Sequence, residues 1–166
     1  MVHMVRLQPL LDSWKSVRAD TAQAVEDMPE AELDFRPVPE VMTFREIARH
    51  ILGSSHGLTG VLLDGLEKME RQEVTKRYPG IPADVPGALL AAELRTRLDE
   101  RLAALAAQTP EFYAGIVTRF DGQRVTRLEM IQTIKEHELM HRSQLFLYLR
   151  LKGIVPATTR RRQAPK

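Results

Sequence analysis

The amino-acid sequence predicts an all-α fold, a four-helix bundle with a long crossover, on three observations. Apolar residues recur at steps of three and four in four separate segments. Two of those segments open on the same T-x-x-E signature. The chain has 166 residues, the size of a single domain and enough to bury one core.

In the first segment Leu7, Leu10, Leu11, Trp14, Val17, Thr21, Val25 and Met28 form the stripe, and Pro29 closes it. Residues 29–42 carry Pro29, Pro37 and Pro39 and read as the crossover, with one helical turn at Glu30 to Leu33. The second segment opens at Thr43 and runs through Phe44, Ile47, Ile51, Leu58, Val61, Leu62 and Leu66 to about Glu70. Residues 71–86, with Tyr78-Pro79-Gly80-Ile81-Pro82, read as a loop long enough to be a lid or a binding edge. The third segment holds Leu90, Leu94, Leu98, Leu102 and Leu105, between Pro86 and Pro110. Phe112, Tyr113, Ile116, Val117 and Phe120 then precede Asp121-Gly122, a pair that favours a tight turn. A short hairpin or an irregular loop is expected there. The fourth segment runs from Thr126 to Lys152, stopped by Gly153 and Pro156.

Thr43-Phe44-Arg45-Glu46 and Thr126-Arg127-Leu128-Glu129 both spell a capping box, in which the Thr hydroxyl accepts from the N3 amide and the Glu reaches back to the cap amide. The boundaries of the second and fourth helices are therefore the best determined. Residues 1–156 read as one domain and 157–166 as a mobile basic tail.

The net charge of +2 is misleading, because Arg160, Arg161, Arg162 and Lys166 fall in the last seven residues. The other 20 basic side chains stand against 22 acidic ones, so the body carries −2 and shows no basic face for nucleic acid. There are no cysteines, which excludes disulfides, zinc-thiolate sites and a protein thiol nucleophile. No signal-peptide run opens the chain, and no stretch approaches the ~18 apolar residues of a membrane span. A cytoplasmic location is the expectation. His3 is given no role.

His137 and His141 stand four apart on the fourth helix. Their side chains differ by about 40° in direction and about 6 Å in height, within reach of one ion. Met130, Ile134, His137, His141, Leu145 and Tyr148 fall on one stripe, so both histidines occupy places where a bundle would put Leu or Ile. Buried polar groups need partners, and a shared metal would serve both. Two ordinary histidines with separate partners remain the alternative at this spacing. His50, at the edge of the second helix's apolar stripe, could lean inward as a third ligand, which would leave an open position of a catalytic kind. His56 points about 120° away from His50 and reads as a surface or interface residue.

The stretch Glu136-His137-Glu138-Leu139-Met140-His141-Arg142-Ser143-Gln144-Leu145, continuing Tyr148-Leu149-Arg150-Leu151-Lys152-Gly153-Ile154-Val155-Pro156, resembles the last helix of the DinB-like (YfiT-type) family. Thr43 to Leu52 resembles that family's second-helix motif, in which a single histidine is the first metal ligand. Met28-Pro29-Glu30, Phe35-Arg36-Pro37 and Asp121-Gly122 also fit, so the resemblance covers most of the chain. Two departures are visible: Met140 stands where the family often carries a further histidine, and Ser143 where it commonly has glycine. Neither removes a ligand. The resemblance implies a bacterial four-helix bundle, a homodimer, and one divalent ion on His50, His137 and His141, with zinc or nickel expected and iron or manganese as alternatives.

It further implies a thiol-dependent S-transferase or isomerase using a low-molecular-weight thiol as co-substrate and acting on small molecules. Such a reaction suits a chain without cysteine. Glu46, Glu136, Glu138, Arg142, Gln144 and Tyr148 are the nearest candidates for supporting or acid-base roles. Metal-dependent hydrolysis with water as nucleophile and a non-catalytic, stress-associated binding protein are the alternatives. Nucleic-acid binding would rest on the arginine tail alone.

Overall fold

A computed structural model of the chain describes residues 6–165; His3 lies outside them. The element order is α1 (Leu7–Asp27), a single 3-10 turn (Glu30–Glu32), α2 (Phe44–Leu63), α3 (Arg71–Arg77), α4 (Gly87–Ala106), α5 (Pro110–Ala114), β1 (Ile116–Thr118), β2 (Arg124–Thr126), α6 (Arg127–Leu151) and α7 (Ala157–Gln163). The expected four-helix bundle is formed by α1, α2, α4 and α6.

Each of α1 and α2 packs against both α4 and α6, while α1 and α2 scarcely touch and face each other diagonally. The crossover between them closes one end of the bundle. Its backbone carbonyls at Phe35 and Leu33 accept from Phe44 N (2.9 Å) and Arg45 N (2.8 Å), and Glu30 accepts from Gly87 N at 2.9 Å. Glu32 meets Lys152 at 2.6 Å. α2 and α4 thus start at this end while α1 and α6 finish there, and parallel neighbours of this kind require long connections.

Both capping boxes form. Glu46 N donates to Thr43 Oγ1 (3.2 Å) and Thr43 N to Glu46 Oε2 (2.7 Å); Glu129 N and Thr126 N repeat the pattern at 3.1 and 2.7 Å. α2 stops at Leu63 rather than near Glu70. Gly65 adopts φ 83°, its N–H bonds to Leu62 O at 3.0 Å, and Leu66 N bonds to Val61 O at 3.1 Å. This is a Schellman stop, and Leu66 belongs to the turn rather than to the stripe.

Residues 71–86 are not wholly loop, because α3 occupies their first half. It packs on α2 where a Cβ at Gly57 would overlap Val74 and one at Gly60 would overlap the Tyr78 ring. One apolar residue in seven gives no readable period, so this helix follows from tertiary packing. The hairpin forms as expected, with Ile116 opposite Thr126 and Val117 opposite Val125. It is tied to the α2–α3 connection by Met69 N to Thr118 O and Thr118 N to Glu67 O, both 2.8 Å.

The basic tail also departs from expectation: Ala157–Gln163 form α7. Arg160 pairs with Asp27 at 2.9 Å and Arg161 with Asp20 at 2.6 Å, so acidic residues of α1 hold it. Among the described residues no helix is long and apolar enough to cross a membrane.

The core falls into two apolar clusters. One surrounds Phe44, Ile47, Ile51, Leu90, Leu94 and Leu145, the other Trp14, Val61, Leu62, Leu98, Leu105 and Ile134. Between them lies a polar layer. Arg18 of α1 donates from Nε and Nη2 to Glu138 of α6 at 2.7 and 2.8 Å, from Nη1 to Leu94 O of α4 at 2.7 Å, and from Nη2 to Ser55 Oγ of α2 at 2.6 Å. Trp14 Nε1 donates to Glu138 at 2.7 Å. One network therefore touches all four bundle helices, with its charges paired as buried ions must be.

Candidate metal centre

The capping boxes at Thr43 and Thr126 fix where α2 and α6 begin, and those two helices pack side by side. His50 projects from α2 toward His137 and His141 on α6. Nε2 of His137 lies 3.2 Å from Nε2 of His50 and 3.1 Å from Nε2 of His141. All three donor atoms fall within 4.8 Å of one another. The rings meet at steep angles of 64°, 74° and 83°, turning their nitrogen edges toward a common point.

These contacts cannot all be hydrogen bonds. A single Nε2 on His137 carries either one proton or one lone pair, so it serves one of its two neighbours at a time. A cation accepts three lone pairs at once. With bonds of about 2.0–2.1 Å, octahedral or tetrahedral coordination separates adjacent donors by about 2.8–3.4 Å, and the two spacings from His137, 3.1 and 3.2 Å, fall in that range. The residues present fit a divalent ion.

The protonation states agree. Burial, then the charges of His141 and His50, push His137 down to about 4. Burial and His141 lower His50 as well. Near pH 7 both rings are neutral, the form that ligates. Gln144 Oε1 lies 2.8 Å from Nδ1 of His141. With the proton on Nδ1 this bond leaves Nε2 free to face the cluster. His141 is 8% exposed.

Of the six supporting candidates, Gln144 alone bonds to a histidine of the cluster. Glu46 is consumed in its capping box. Glu136 accepts from Gln132 at 2.9 Å. Glu138 turns into the polar layer, away from the cavity, and is 1% exposed. Arg142 faces Asp20 at 3.6 Å and stacks on Phe146. Tyr148 donates to Met42 O at 2.9 Å, near the closed end of the bundle. His56, expected at the surface, is half-buried, packed edge-on to Tyr78 and 3.2 Å from Arg101 Nη2.

A cavity of about 480 Å³ opens beside His50 and His137. Its apolar walls are Leu58, Val74, Phe120, Met130 and Ile134, and Ser54, Thr75 and Thr133 add hydroxyls. Arg71, Arg119 and Asp121 complete it. The volume is that of a small-molecule site. The segment expected as a binding edge does line it, through Arg71, Val74 and Thr75. Reading the sequence did not find Arg119 and Phe120, because a hairpin shows no periodicity that points to a distant helix. Arg18 was also missed, although it stands one turn after Trp14 on the apolar stripe of α1, an out-of-pattern charge that signals a buried partner.

Fold and site together define a four-helix bundle with a three-histidine cluster at the mouth of a small-molecule cavity. The chain belongs to the DinB superfamily, whose sequence profile matches residues 13–145. It is 25% identical over 152 residues to the uncharacterized protein YjoA of Bacillus subtilis strain 168, covering 90% of this chain and 93% of that one. The crystal structure of YjoA, a DinB-like protein, gives a TM-score of 0.70 at 23% identity over 87% of this chain and 92% of that chain. YfiT from Bacillus subtilis, described as a probable metal-dependent hydrolase with an unusual four-helix bundle topology, gives 0.73 at 17% identity, covering 93% and 91%. A mycothiol-dependent maleylpyruvate isomerase gives 0.65 at 13% identity, over 87% of this chain and 63% of that one. At such identities these structures establish a shared fold.

Proposed function

We propose that the protein is a divalent-metal-dependent enzyme that transfers a low-molecular-weight thiol to a small electrophile, with His50, His137 and His141 as the metal ligands. The observation that carries this reading is the convergence of three imidazole Nε2 atoms at the mouth of an open cavity. When bound, an ion with three neutral ligands keeps its charge and supplies Lewis-acid chemistry, lowering the pKa of an acidic group in its open position. Zinc or nickel is the expected ion, and iron or manganese suits the same donors.

The chain's own residues have distinct parts. Gln144 holds the His141 proton on Nδ1. The apolar wall of Leu58, Val74, Met130 and Ile134 shelters the reacting groups from water. The chain contributes no thiol, so the nucleophile arrives as a co-substrate. Glu46, Glu136 and Glu138, the carboxylates nearest in sequence, are each engaged elsewhere. The likeness to a mycothiol-dependent maleylpyruvate isomerase supports transfer.

Metal-dependent hydrolysis is the second reading, and the likeness to YfiT supports it. Turnover separates the two. Zinc- or nickel-loaded protein is assayed with 1-chloro-2,4-dinitrobenzene and a panel of low-molecular-weight thiols, alongside ester substrates without thiol. Thiol conjugation that His137→Ala abolishes is the expected result. Ester cleavage with no thiol present, and no conjugation, would overturn the transferase in favour of the hydrolase.

A further inference from the structure

The cavity wall formed by α3 and the hairpin carries two guanidinium groups that the proposed reaction does not use. Arg71 begins α3 and Arg119 follows β1, and the two segments are pinned to each other by the paired backbones of Glu67, Met69 and Thr118. The Arg71 guanidinium lies over the Phe120 ring, 5.5 Å from its centroid, and that ring lines the same cavity. Stacking of this kind fixes the plane of a guanidinium while leaving its N–H edge available.

The charges on this wall do not cancel. Arg119 meets Asp121 at 3.3 Å, whereas Arg71 makes no ion pair among the described residues. Arg71, Arg119 and Asp121 are the charged residues lining the cavity apart from its histidines, and they leave one net positive charge. The rest of the lining apart from the histidines is Leu58, Val74, Met130 and Ile134, with the hydroxyls of Ser54, Thr75 and Thr133 among them.

We infer that the cavity takes a small molecule with an apolar body and a carboxylate, the carboxylate held by Arg71 with Arg119 beside it and the reacting end directed at His50 and His137. This substrate class rests on the enzymatic reading above. A planar guanidinium matches a carboxylate with two parallel N–H···O bonds, and a neutral amide in the same place leaves that edge poorly paired. Phe120 offers the body of such a molecule a flat apolar surface.

The test is calorimetric titration of the full chain with 4-phenylbutanoate and with 4-phenylbutanamide, in zinc-loaded protein and again after chelation. The carboxylate is expected to bind about tenfold or more tightly than the amide in both states, the difference expected of a charge-assisted hydrogen bond. Arg71→Leu should remove most of that preference and Arg71→Lys should keep part of it. Equal affinity for the two probes, no binding of the carboxylate, or a preference that survives the Arg71→Leu/Arg119→Leu double variant would overturn the inference. A preference present only with zinc, and indifferent to the arginines, places the carboxylate on the ion and also overturns it. If the protein binds no zinc, the metal reading fails separately, and the chelated titration decides the arginine wall by itself.

Discussion

Glu138, the residue that follows His137 on α6, is paired with Arg18 of α1 at 2.7 Å, and the two side chains are 1% and 2% exposed. Adjacent residues on a helix point about 100° apart. Holding Glu138 in the core therefore sets the rotation of α6 and turns His137 toward the cavity. The link runs from a buried ion pair, through helix orientation, to the geometry of the site.

Glu138→Ala, which leaves the Arg18 charge buried without its partner, should destabilise the fold by about 3–5 kcal/mol. Arg18→Met/Glu138→Leu, which replaces the pair by apolar groups, should cost less than the sum of the single changes. Urea unfolding of the wild type, Glu138→Ala, Arg18→Met, Glu138→Leu and the double variant measures both. Additive single effects would mean that the two groups are not coupled.

Gln144→Leu should weaken metal binding about 10- to 100-fold while leaving the fold intact, the usual result of losing a partner that orients a ligand. Competition with a coloured chelator gives the affinity and circular dichroism the fold. Ser54→Ala should matter less, since its hydroxyl lies 3.5 Å from Nδ1 of His50, at the limit of a hydrogen bond.

Local signals made the bundle legible in the sequence. Thr43 and Thr126 announce two helix starts, and Gly153 and Pro156 a stop. The stripe through Met130, Ile134, His137 and His141 placed two of the clustered histidines, and the family resemblance supplied His50. What stayed hidden depends on residues distant in the chain. Arg18 and Glu138 are 120 positions apart, and neither residue type is expected in a core. α3 owes its helix to the bare backbone that Gly57 and Gly60 offer it, and α7 to the carboxylates of Asp20 and Asp27, so composition alone marked both segments as loop or tail. Leu66 continued the apolar period past Gly65 and hid the end of α2.

His56 should make the protein sensitive to acid. Burial, followed by the charges of Arg101, Arg97 and Arg18, pushes its ring from 6.5 down to about 4. Between those values the unfolded chain binds the proton better than the folded one, so stability is retained above pH 6.5 and lost as pH falls toward 4. Discounted for the ring's partial exposure, the loss is about 1–2 kcal/mol. Unfolding of the wild type and His56→Gln across this window isolates the effect. Identical slopes would contradict it.

Deleting residues 157–166 removes the Arg160–Asp27 and Arg161–Asp20 pairs, whose arginine side chains are 46% and 62% exposed. Each such pair contributes about 0–1 kcal/mol. The melting temperature should fall by only a few degrees, with metal content unchanged. Loss of the metal on truncation would mean that α7 supports the site in a way these contacts do not describe.

In the proposed site His50, His137 and His141 bind one ion together. Elemental analysis by plasma mass spectrometry, on protein purified without a histidine tag, tests it directly. Wild-type protein should carry close to one divalent transition-metal ion per chain, and His50→Ala and His137→Ala should each lose most of it while remaining folded. A metal-free wild type, or variants that retain the same metal content, would contradict the account.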